Sequence, residues 1–119
     1  MKLIDVLPGK RKKEIISPGK LNRMMARSDI VILDVNSRQS WMKTRVPGAL
    51  NLDPDRFSKT DLPADKSKLL VFYCSNPMCR KAPKAAFRAK NMGYTNVRVM
   101  RAGIRGWILF GLPVEKGAG

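Results

Sequence analysis

The chain carries two cysteines and no histidine. Cys74 directly follows an unbroken apolar run, Leu69-Leu70-Val71-Phe72-Tyr73, and precedes Ser75, Asn76, Pro77, Met78, Cys79 and Arg80. A thiol between the end of a buried strand and the start of a helix is placed for nucleophilic chemistry. Free N–H groups of the loop and first helical turn converge there and favour negative charge. Pro83 locates that helix, because proline is tolerated in a first turn and breaks a helix interior. The helix should therefore begin near Cys79 or Arg80, leaving 75–79 as a tight loop. Arg80, Lys81 and Lys84 add full positive charges. Such a setting is expected to lower the Cys74 pKa and hold the residue largely as thiolate at neutral pH. The same nest would hold an anionic substrate or covalent intermediate. If the cradle turns its N–H groups inwards, its side chains turn outwards, and Cys79 should be poorly placed to attack Cys74.

The absent histidine removes whole classes of chemistry. Neither a Ser-His-Asp set nor a Cys-His pair can form, and two cysteines without histidine cannot complete a tetrahedral metal shell. No cofactor is expected, and activity must rest on cysteine, carboxylates, cations or backbone groups. Cys79 reads equally as a resolving thiol or as filler in the first helical turn. Arg80 reads as an oxyanion ligand, Asp34 as a fold residue anchoring a neighbouring loop, and Trp107 as a core aromatic.

These residues need elements to position them. Two continuous β-branched or apolar runs, 30–33 and 69–73, suggest strands covered on both faces, as in a parallel sheet. Ser17-Pro18 opens a helix by capping chemistry, with Leu21, Met24 and Met25 on its apolar face. Asn36-Ser37-Arg38 opens another, to about Lys43. Leu50-Asn51-Leu52 is a short strand, and Asp53-Pro54 starts a helical turn before a polar connection over 58–68. Ala82, Ala85, Ala86 and Ala89 give the helix after Cys74 a smooth face, and Gly93 suits its C-terminus. A strand over 97–100 and a helix over 104–110 complete the alternation, which predicts an α/β sandwich with a mainly parallel sheet. Glu14-Ile15-Ile16 is a further strand candidate. Residues 1–13 read as a basic extension, 14–115 as the domain and 116–119 as a flexible tail.

At 119 residues the chain suits one domain, and 44% hydrophobic content makes it globular. Its apolar runs are too short to span a bilayer, and no signal-peptide pattern opens it. A cytoplasmic, reducing setting is expected, with free thiols. The formal charge of +15 favours anionic substrates or an acidic partner protein. The basic residues are scattered, those at 10–13 read as a solvated run, and no nucleic-acid-binding signature accompanies them.

Asp34-Val35, Val46-Pro47-Gly48-Ala49-Leu50-Asn51-Leu52, Tyr73-Cys74 with its loop, Gly93-Tyr94-Thr95-Asn96-Val97, Gly103-Ile104-Arg105-Gly106-Trp107 and Gly111-Leu112-Pro113-Val114 occur in order. Over roughly residues 14–115 this series resembles the single-domain rhodanese-like proteins. The resemblance implies a rhodanese-like three-layer sandwich, its central, mainly parallel sheet flanked by helices. It also implies a sulfurtransferase in which Cys74 carries a persulfide from a small anionic sulfur donor to a thiol or protein acceptor. Ser75–Arg80 would form the binding loop, with Lys81 and Asp34 auxiliary. Asn36 replaces the family's usual arginine, and Arg45 its histidine before Val-Pro-Gly. The loop is longer than the common sulfurtransferase loop. Its spacing, cysteine, five residues, then arginine, is that of rhodanese-fold phosphatases and arsenate reductases, which is the alternative reading. A non-catalytic protein-binding module is the third.

Overall fold

A computed structural model describes residues 14–118; the expected extension over 1–13 lies outside the described residues. Among the described residues, four strands form one parallel sheet in the order β2-β1-β3-β4. The two apolar runs are its centre. β1 (Ile30–Asp34) and β3 (Leu69–Tyr73) pair in register from Ile30 opposite Leu69 to Asp34 opposite Tyr73. The short strands β2 (Leu50–Asn51) and β4 (Val97–Val99) flank them. Side chains of β3 alternate between two cores, with Leu70, Phe72 and Cys74 in one and Leu69, Val71 and Tyr73 in the other. Burial on both faces is why these strands show no polar alternation.

Helices cover both faces and make three layers. α1 (Pro18–Met24) and α2 (Arg38–Lys43) start at Ser17 and Ser37, whose hydroxyls each accept a backbone N–H at 3.2 Å. α3 (Lys81–Asn91) lays its alanine face on the first core, beside Phe57 and Tyr94. α4 (Gly103–Leu109) brings Trp107 into the second core with Leu21, Val46 and Met100. Trp107 is fully buried and donates its Nε1–H to the Pro113 carbonyl at 2.7 Å, as a core aromatic must.

Several boundaries differ from expectation. Residues 14–16 contribute a single parallel bridge, Ile15 to Val99, rather than a strand. The polar connection contains a 3-10 helix, Lys59–Asp61, closed by a reciprocal Ser58–Asp61 capping box. The last strand stops at Val99, and the Met100 N–H gives the ladder its final bond, to the Phe72 carbonyl at 2.9 Å. The stretch expected as a loose tail is tied at Gly117. Its N–H donates to Met42, and its carbonyl accepts from the buried Arg45 guanidinium at 2.6 Å.

The topology prepares a site. β1 hands the chain to β2 on one side, and β3 hands it to β4 on the other. Connections diverging from neighbouring strands open a crevice beyond their carboxyl ends. Asp34 and Tyr73 close the two strands there. The Tyr73 hydroxyl donates to the Asp34 carboxylate at 2.7 Å and accepts the Val46 N–H at 3.1 Å. Asp34 also accepts the Asn36 N–H at 2.8 Å. Burial pushes its carboxyl pKa up. Directly at Asn36 and through the Tyr73 hydroxyl at Val46, Asp34 ties the loops after β1 and α2.

Tyr73→Phe removes both bonds of that hydroxyl and strands a buried N–H. Urea unfolding should show a loss of about 1–3 kcal/mol; an unchanged midpoint would deny the tie any net stabilising effect.

Candidate functional site

Cys74 is the first residue beyond β3 and is only 3% exposed. Its loop is bolted to the start of α4: the Cys74 and Ser75 carbonyls accept the N–H groups of Ile104 and Arg105 at 2.9 and 3.0 Å. Gly103 makes this docking possible. Its φ is +70°, and a Cβ there would lie 2.6 Å from the Ser75 carbonyl carbon and 2.7 Å from the Asn76 nitrogen. Sequence reading used Gly103 as the first residue of the Gly103-Ile104-Arg105-Gly106-Trp107 motif. Its position between a strand and a helix, in step with the cysteine loop, was the available signal.

The cradle is narrower than expected. Asn76 closes the loop on itself, its Oδ1 accepting the Met78 N–H at 2.8 Å and its carbonyl the Cys79 N–H at 3.1 Å. Pro77 has no N–H to offer. The amides that reach sulfur are those of Ser75 and Ala82 at Cys74, and of Lys81 and Ser75 at Cys79. The helix begins at Lys81, with Arg80 at its cap, and the Lys81 and Ala82 amides of its first turn face the two sulfurs.

The two thiols also hydrogen-bond each other. Cys79 is half-buried against the first core rather than turned outwards. The reason is the turn from Asn76 to Cys79, which wraps the chain back onto the strand end. Burial overturns the expectation of a Cys74 thiolate at neutral pH. Burial, then the bond with Cys79, pushes the Cys74 thiol up to about 11, against the pull of the Ala82 and Ser75 amides. Cys79 moves the other way. Burial opposes its ionisation, but the Cys74 thiol, the Lys81 and Ser75 amides and the Ser75 hydroxyl together outweigh it and lower the pKa. Of the two, Cys74 holds its proton the more firmly.

Outside the loop lies a groove of ≈ 680 Å³. Cys79, Arg80, Lys84 and Arg101 line it, with apolar walls from Met78 and Phe87. Arg80, Lys81 and Lys84 are exposed; Lys84 stands 3.3 Å from Asp55. Cys74, Lys81 and Asp34 are not among the groove's walls. Arg101 and Phe87 were missed by sequence reasoning. Arg101 follows the last strand at the same sheet edge, and Phe87 shares a helical stripe with Pro83 and Lys84, which was the legible clue.

Residues 17–109 match the family model described as Rhodanese-like domain. The uncharacterized protein YibN of Escherichia coli (strain K12) is 27% identical over 110 residues, covering 89% of this chain and 75% of its own. The thiosulfate sulfurtransferase GlpE of Actinobacillus succinogenes is 28% identical over 104 residues, covering 87% of this chain and 92% of its own. In structure, the BH2092 protein of Bacillus halodurans superimposes with a TM-score of 0.84 at 22% identity, over 91% of this chain and 80% of that one. The chain belongs to the rhodanese-like domain family, and the resemblance read from its motifs holds.

Iodoacetamide should distinguish the thiols. Alkylation of Cys79 is expected to rise at lower pH than that of an ordinary thiol, because its pKa is lowered. Cys74 should resist until the pH nears about 11. Peptide mapping that finds Cys74 modified first at pH 7 would reverse the assignment.

Proposed function

We propose that this rhodanese-like chain is a sulfurtransferase, moving sulfane sulfur from an anionic donor such as thiosulfate or polysulfide to a thiol or protein acceptor through a persulfide on Cys74. The observation that carries this reading is the setting of the Cys74 sulfur. It stands at the divergence of β1 and β3 and receives the Ser75 and Ala82 amides. Inward amides stabilise an added, negatively charged sulfur much as they would a thiolate. The relative named thiosulfate sulfurtransferase, which spans most of this chain, supports the same chemistry. Arg80, Lys84 and Arg101 give the groove the charge an anionic donor needs.

The arsenate reductase or phosphatase reading rests on the spacing from Cys74 to Arg80. A tetrahedral oxyanion needs many converging donors, and the Met78 and Cys79 amides are already bound to Asn76. Sulfur transfer asks less of the loop. A reducing, cytoplasmic setting belongs to this proposal, since it keeps both thiols free. An acidic acceptor protein would suit the basic groove.

Incubation with thiosulfate or polysulfide should add one sulfur to Cys74, removable by cyanide; a protein that gains none from either donor is not a sulfurtransferase. Arg80→Ala should raise KM for thiosulfate several-fold without moving the melting temperature, and an unchanged KM would reduce Arg80 to a solvated charge.

A further inference from the structure

We infer that Cys79 is a second catalytic thiol of this site, the one that takes sulfur from the donor in the basic groove and hands it inward to Cys74. The inference rests on the sulfurtransferase reading above and assigns its order of events. It begins from an asymmetry in access. Cys79 forms part of the groove wall, among Arg80, Lys84 and Arg101, whereas Cys74 is almost wholly buried and is not part of that wall. A dianionic donor drawn to those cations meets the Cys79 sulfur first. Cys79 also packs against the core cluster that contains Cys74, which makes the two thiols neighbours across the loop.

Both steps balance. The Cys79 thiolate attacks the sulfane sulfur of thiosulfate; the bond between that sulfur and the sulfonate sulfur breaks, and sulfite leaves with the electron pair. Cys79 now bears a persulfide anion. The Cys74 thiol gives its proton to the terminal sulfur as its own sulfur attacks that atom. The bond to Cys79 breaks, and Cys79 leaves as thiolate. The products are a protonated persulfide on Cys74 and the original Cys79 thiolate, with charge and protons conserved.

The chemistry of thiol exchange favours this direction. A thiol of lower pKa is the better leaving group, and the sulfur should settle on the more basic partner. Cys79 is the lowered thiol and Cys74 the raised one. The shielded position of Cys74 then keeps the persulfide from adventitious oxidants until an acceptor arrives.

The test uses the full-length protein, thiosulfate as donor, rapid alkylation and peptide mapping of the trapped persulfide. In the wild type, sulfur should be found on Cys79 at the earliest times and on Cys74 later. Cys74→Ser should still load one sulfur, trapped on Cys79. Cys79→Ser should load Cys74 at least tenfold more slowly. Sulfur that appears on Cys74 from the first time point, with Cys74→Ser inert and Cys79→Ser loading at the wild-type rate, would overturn the relay and leave the sulfurtransferase reading intact. A wild type that loads on neither cysteine would end both. The wild-type time course decides the matter even if a variant fails to fold.

Discussion

The close approach of Gly103 to the Ser75–Asn76 backbone is the constraint on which the site depends. A strand end is flexible by default, since its last carbonyls have no ladder partners. Here the Cys74 and Ser75 carbonyls are held by the first N–H groups of α4, at a distance only a residue without Cβ allows. With both ends of the loop fixed, by α4 on one side and α3 on the other, the chain between them has few conformations left. Asn76 selects one, using its side chain and its carbonyl to close a turn. That closure turns Cys79 back towards the core that holds Cys74.

The electrostatics follow from depth rather than from charge count. Arg80, Lys81 and Lys84 are exposed, and a unit charge acting through water is worth about 1 kcal/mol at 4 Å. Removing a thiolate from water costs more than such distant charges return. Burial therefore decides the Cys74 pKa, and the amides of Ser75 and Ala82 only moderate it. At Cys79, which is less buried, direct hydrogen bonds decide instead. The basic surface works at longer range, drawing anions into the groove without setting the state of the buried thiol.

Much of this was legible in the sequence. The runs 30–33 and 69–73 gave the two central strands because a strand buried on both faces leaves no polar alternation to confuse. The alanines at 82, 85, 86 and 89 gave a helix and the face it buries. Pro83 bounded the loop to within a residue. What was hidden is long-range or depends on side-chain direction. Nothing local to Asn76 says that it will spend its bonds on the loop, so the cradle looked wider than it is. Nothing local to Cys74 reports its depth, so the surrounding charges were overvalued. The bridge at Ile15 and the tie at Gly117 join residues far apart in sequence, and no periodicity announces such contacts.

Arg45 illustrates a different kind of consequence. Its guanidinium, 2% exposed, lies 4.0 Å over the Trp41 ring, donates to the Trp41 and Gly117 carbonyls and approaches Glu115 at 3.4 Å. In the family pattern this position resembles one occupied by histidine. A histidine ring offers at most two N–H donors, whereas a guanidinium presents five in a planar fork. One side chain can therefore fasten the end of the domain to α2 through two carbonyls, a carboxylate and a ring face at once.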